Sequence, residues 1–119
     1  MDKFELIERT KKFAIRVFKL IEKFPQTKSA NVISYQLLKS ASSVAANYRA
    51  ACRAKSKADF INKIKMVEEE ADESLFWLSF LKDVGILSTD EELEALIKES
   101  NELVSIFTQT LKTLKTLKS

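Results

Sequence analysis

The sequence predicts an all-α fold, an antiparallel up-down-up-down four-helix bundle, and three observations predict it. One glycine and one proline stand in 119 residues. Sandwiches and barrels need frequent turn residues, so few turns mean few, long elements. Apolar residues recur at three- and four-residue steps along four long stretches. Helix punctuation falls between those stretches, at Pro25, Ser56 to Asp59, Gly85, and Thr89 to Glu92. A chain of this length is expected to form one domain, residues 1–119, around one core.

The first helix is expected over about residues 2–24. Its stripe reads Phe4, Ile7, Ala14, Val17, Phe18 and Ile21, and Pro25 disfavours helical dihedrals in the residue before it. Residues 26–30 read as a short polar connection. Asn31 or Ser29 is placed to cap a second helix over about 32–54. That helix carries a small-residue stripe of Leu37, Leu38, Ala41, Val44, Ala45, Tyr48 and Cys52, which lets a neighbour approach closely. Ser56-Lys57-Ala58-Asp59 reads as a capping box opening a third helix over about 57–84. Phe60, Ile64, Val67, Ala71, Leu75 and Leu78 form its stripe, and Gly85 suits a left-handed position just past its end. Thr89-Asp90-Glu91-Glu92 reads as a second capping box, opening a fourth helix over about 90–117. Its face is Leu93, Leu96, Ile97, Leu103, Val104, Phe107, Leu111 and Leu114. Short connections make successive helices antiparallel neighbours.

Composition excludes several kinds of chemistry. Histidine is absent, which removes the commonest general base and metal ligand. A bundle di-metal centre built on Glu-x-x-His pairs cannot form, and a single cysteine does not make a structural zinc site. No glycine-rich phosphate loop is available. Cys52 reads as a small core hydrophobe without a histidine to activate it. We therefore expect no enzyme, no catalytic residues, no metal and no cofactor. The charged N-terminus shows no signal-peptide pattern, a lone cysteine suits a reducing compartment, and no apolar run reaches membrane-spanning length. The expected location is cytoplasmic.

The net charge is +3, but it is unevenly spread. Residues 1–57 hold 13 Lys/Arg against 4 Asp/Glu, and residues 26–57 hold six basic residues and no acid. Either the basic half is a face for a polyanion, or basic and acidic helices neutralise one another by packing side by side. Lys39, Arg53 and Lys57 fall within about 40° on a helical wheel, with Arg49 about 40° further on. Arg9, Lys12, Arg16 and Lys19 give the first helix a similar side. Such a surface could track RNA or DNA phosphates. Tyr48 points to the core, so no stacking platform for bases is expected. In the acidic run of residues 68–73, Glu68 and Asp72 flank the core stripe and are expected to bond Arg49 or Arg53, within the subunit or between subunits.

One segment is apolar beyond the needs of a bundle. Residues 75–81 read Leu-Phe-Trp-Leu-Ser-Phe-Leu, and Phe76, Trp77 and Phe80 point away from the Leu75/Leu78 face. They are read either as a subunit interface or as a cover over one end of the bundle.

Residues 36–60, QLLKSASSVAANYRAACRAKSKADF, with EEADESLFWL at 69–78 and the Phe24-Pro25 ending of the first helix, carry a resemblance. The pattern, with Asn47, Arg49, Arg53 and Ser56 among small residues, resembles the bacterial four-helix bundle proteins encoded in intervening sequences of 23S ribosomal RNA genes. Many relatives carry an Asn-x-Ala-Glu-Gly element, where this chain has Asn47-Tyr48-Arg49-Ala50-Ala51. That family is distantly similar to the retroelement accessory variability protein, which forms a pentameric barrel and binds nucleic acid and a reverse transcriptase. The resemblance implies a homo-oligomer assembled as a closed ring, a pentamer. It also implies RNA or DNA, or a protein such as a reverse transcriptase, as partners. A protein–protein scaffold with no nucleic-acid binding is the alternative.

Overall fold

The computed structural model describes residues 1–118. Among them are four helices and no strand: α1 (Lys3–Ile21), α2 (Lys28–Ala51), α3 (Lys57–Asp83) and α4 (Glu91–Lys118). Each helix packs on two others, α1 on α2, α2 on α3, α3 on α4 and α4 back on α1. The α1/α4 seam is the loosest of the four. The core between them is almost wholly aliphatic and aromatic, with Phe13, Leu37, Ile64, Leu78, Leu96 and Phe107 fully enclosed.

The helix ends follow local chemistry and depart from the sequence reading in three of the four helices. First, α1 stops at Ile21, because Lys23 and Phe24 donate to the carbonyls of Leu20 and Ile21 in a tighter closing turn. That turn swings Phe24 into the core. Second, α2 begins earlier than expected. Its cap is Thr27, whose extended backbone lets its hydroxyl accept from the Ala30 N–H at 3.2 Å. Ser29 and Asn31 lie inside the helix, and the supposed polar connection is mostly its first turn. The same helix ends at Ala51, so Arg53 lies in the connector. Lys57 opens α3 and does not extend the α2 face. Third, Asp90 caps α4 in place of Thr89, accepting from Glu92 N–H at 2.8 Å and Leu93 N–H at 3.2 Å.

Two other ends match the expectation. Ser56 caps α3 by accepting from Asp59 N–H at 3.0 Å. The reciprocal bond of the box runs from Lys55 N–H, one residue before the cap, to the Asp59 carboxylate at 3.3 Å. Gly85 takes φ +82°, Ile86 N–H bonds the Leu81 carbonyl and Gly85 N–H bonds the Lys82 carbonyl. This is the paired closing pattern that a left-handed residue makes after a helix.

The face of α1 differs most. Its buried line is Leu6, Thr10, Phe13, Val17 and Leu20. Phe4 and Phe18, expected in the core, are 68% and 52% exposed. The helix carries two lines with seven-residue spacing, one through Phe4, Lys11 and Phe18 and one through Leu6, Phe13 and Leu20. Periodicity alone does not choose between them. The line that faces inward is the one free of charge, since Lys11 interrupts the other, and in this orientation Arg9 and Arg16 point at α4.

Candidate nucleic-acid and assembly surfaces

The α1/α4 seam is laced by charge. Arg9 Nε and Nη2 each donate to Glu99 at 2.7 Å, and Nη2 also reaches Glu102 at 3.4 Å. Seven residues on, Arg16 Nε and Nη2 donate to Glu92 at 3.0 and 2.8 Å. Seven further on, Lys23 meets Asp90 at 3.2 Å. The arginine bonds raise the Arg9 and Arg16 pKa values, with the Glu99 and Glu92 hydrogen bonds as the leading causes. Glu92 is held below the usual carboxylate range, chiefly by the Arg16 hydrogen bond. The Asp90 carboxyl is likewise lowered, first by Lys23 and then by the cap N–H groups.

This ladder divides the basic residues into two sets. Arg16, one of the expected phosphate ligands, is engaged with Glu92. Lys12, Lys19, Lys39, Arg49, Arg53 and Lys57 are exposed, and among the described residues none of them makes an ion pair. They do not form one helical stripe. Lys12 and Lys19 lie on α1, Lys39 and Arg49 on α2, Arg53 in the connector and Lys57 at the start of α3.

Between α1 and α2 runs an open groove of about 280 Å³. Ile7, Ala14, Ala45 and Ala46 line it, with Lys11 and Arg49 also on its walls. The small side chains keep it open, since nothing larger fills the space between the helices.

On α3 the carboxylates do not reach the arginines of α2. Among the described residues no ion pair joins Glu68 or Asp72 to Arg49 or Arg53. Burial, followed by the charges of Asp72 and Glu69, pushes the Glu68 carboxyl above its ordinary value. Glu70 is raised by burial and Glu73, with Lys39 opposing. No group of acids, with or without Cys52, is arranged to hold a metal among the described residues.

Phe76, Trp77 and Phe80 form one cluster, with ring centroids 5.0, 5.9 and 5.6 Å apart. Phe76 is 56% exposed, Phe80 borders on exposed and Trp77 is half-buried. The Trp77 indole N–H is enclosed without an acceptor among the described residues. Large exposed apolar side chains stand on α1 (Phe4, Ile15, Phe18), α2 (Val32, Tyr35) and α3 (Met66, Phe76, Phe80). Cys52 is half-buried, and burial, then Cys52 itself, pushes the Tyr48 phenol pKa up.

The arginine ladder and the outward Phe4, Phe18 and Tyr35 were missed in the sequence, whereas Phe76 and Phe80 point outward as expected. The seven-residue spacing of Arg9, Arg16 and Lys23, matched by Glu92 and Glu99, was the available signal for the ladder. A family model for the 23S rRNA-intervening sequence protein matches residues 2–109. The chain belongs to that family. A crystal structure from Bacteroides thetaiotaomicron, of a protein with unknown function from the S23 ribosomal protein family, shares 31% identity and a TM-score of 0.75. The match covers 89% of this chain and 97% of that one. No curated protein matches. Among the described residues no helix is long and apolar enough to cross a membrane.

Proposed function

We propose that this family member is a non-catalytic, cytoplasmic, up-down-up-down bundle that self-assembles through α3 and binds RNA or DNA through α1 and α2. Opposite numbering in the pairs Arg9–Glu99 and Arg16–Glu92 supports the topology. Exposed Phe76 and Phe80, packed on half-buried Trp77, support assembly into a closed ring, a pentamer by the resemblance. One observation carries the nucleic-acid reading. α2 holds no acidic residue, and its exposed Lys39 and Arg49 have no ion pair, whereas the basic residues on the α4 side of α1 are matched by carboxylates. Unneutralised cations attract a polyanion by releasing its counterions.

Binding of mixed-sequence RNA across a salt series tests this. Affinity should fall steeply as salt rises, and Lys39→Gln and Arg49→Gln should each lower it and flatten the salt slope. Arg16→Gln should do neither. No binding at about 50 mM salt would remove the reading.

A scaffold without nucleic acid is the second reading, favoured by the acids of α3 that lack ion-pair partners. In that case the basic α2 of one subunit meets the acidic α3 of another. Arg49→Glu would then break the assembly, and a compensating Asp72→Lys or Glu69→Lys would restore it.

A further inference from the structure

The structure turns two lines of side chains outward that α1 and α2 could have buried. On α1 the line is Phe4, Lys11 and Phe18, seven residues apart. On α2 it is Tyr35, Ser42 and Arg49, also seven apart. All six are exposed, Tyr35 at 64%. Lys11, Ser42 and Arg49 line the α1/α2 groove. Counted in opposite directions along the two helices, Phe18 falls roughly level with Tyr35, Lys11 with Ser42, and Phe4 with Arg49. The groove's own lining holds no aromatic ring; Phe4, Phe18 and Tyr35 stand exposed beside it on the same two helices, in line with its Lys11, Ser42 and Arg49.

We infer that this groove is a binding site for single-stranded nucleic acid, whose unpaired bases stack on Phe4, Phe18 and Tyr35 while Lys11 and Arg49 hold its phosphates. The inference rests on the polyanion reading above and names the kind of strand. Every base has a π face, so exposed rings bind unpaired bases with little regard to sequence. In a duplex those faces are stacked on one another and out of reach. Phe4 and Phe18 stand about 21 Å apart along α1. That length holds about six nucleotides of a stacked strand at ~3.4 Å per phosphate.

Charge favours this occupant. Lys11 and Arg49 make no ion pair among the described residues, and neither does the exposed Lys39 of α2, whose charge acts on Glu70. Lys3 Nζ lies 5.3 Å from the Phe4 ring centroid, which places one more cation beside a stacking surface. The acids of α1 are Glu5 and Glu8, both exposed, with Glu22 at its C-cap, and α2 has none. The sequence reading saw no stacking platform because it weighed only the core-facing Tyr48 of α2, with Phe4 and Phe18 assigned to the core stripe of α1.

The test compares a short labelled single strand, as RNA and as DNA, with the duplex of the same sequence. Wild-type protein is measured beside Phe18→Ala, Tyr35→Ala, Lys11→Gln and Arg49→Gln, and each is also sedimented. The expected result is tighter binding of the single strand than of the duplex. Each aromatic change should weaken the single strand about five- to one-hundredfold while leaving the duplex and the salt slope unchanged. The lysine and arginine changes should flatten the salt slope for both. Equal binding of duplex and single strand, or full affinity in both aromatic variants, overturns the inference and leaves the polyanion surface standing. Loss of subunits on sedimentation of Phe18→Ala or Tyr35→Ala assigns the groove to a second copy and also overturns it. No binding of any strand removes both readings.

Discussion

Arg9 holds Glu99 with two parallel hydrogen bonds, Nε to Oε2 and Nη2 to Oε1, both 2.7 Å long. Both side chains are largely shielded, and the pair crosses the seam where α1 and α4 pack most loosely. A planar guanidinium fork matched to a carboxylate fixes geometry as well as charge. We expect a double-mutant cycle of Arg9→Ala and Glu99→Ala, read by urea unfolding, to give a coupling of about 1 kcal/mol. The same cycle at Lys82 and Glu94, both half exposed, should give close to zero.

Acid should loosen the α1/α4 seam first. Glu92 and Asp90 have lowered folded-state pKa values, so their contribution is present above the ordinary carboxylate range and lost as pH falls through and below it. Hydrogen exchange at falling pH should show the amides flanking Arg16 and Glu92 losing protection before those at the α2/α3 seam.

Glu68 has the opposite sign. Its raised pKa means that the folded state favours the protonated form, so ionisation at neutral pH opposes folding. Glu68→Gln should raise the melting temperature at neutral pH, and the gain should vanish as pH falls below the ordinary glutamate range. A lowered melting temperature at neutral pH would show that Glu68 has a stabilising partner.

Ser40 and Ser74 lie fully buried where α2 meets α3, with Ser74 Oγ donating to Ser40 Oγ at 3.0 Å. Ser40 also donates to the Leu37 carbonyl, so Ser74→Ala leaves it partnered and should cost only about 1 kcal/mol. Ser40→Leu should cost more, about 1–3 kcal/mol, because the seam has no room for the extra carbons. Thermal unfolding of both variants would rank them.

If the chain assembles through α3 as proposed, Phe76→Glu should dissociate it while leaving the helical circular-dichroism signal intact, since Phe76 is more than half exposed. Sedimentation of the wild type as a 13.6 kDa species at micromolar concentration would contradict assembly through α3.

The bundle was legible because its evidence is local. Helix periodicity, the Ser56 cap and the left-handed Gly85 depend on residues a few positions apart, and such interactions act the same way in any surroundings. The absence of histidine likewise excluded chemistry before any fold was considered. Errors arose where local signals tied. Ser29, Asn31 and Thr27 are all capable caps, and the choice fell to the one whose backbone is extended after the Pro25 turn. Arg53 and Lys57 seemed to share a face with Lys39 only because α2 was taken to run past Ala51.

Which face of α1 turns inward was a tertiary decision. Its outward line, Phe4 and Phe18, is broken by Lys11, whereas the inward line, Leu6, Phe13 and Leu20, carries no charge and also turns Arg9 and Arg16 toward α4. The partners of Arg9 and Arg16 sit about 90 and 76 residues away, on α4, and no local pattern reaches that far. In the orientation that makes those pairs, Leu6, Phe13 and Leu20 lie in the core and Phe4 and Phe18 face out. The sequence by itself determined four helices, their approximate limits and the charge each carries. Only the packing of α1 on α4 decided which cations stay free and which aromatics they stand beside, because burying one face of a helix exposes the other.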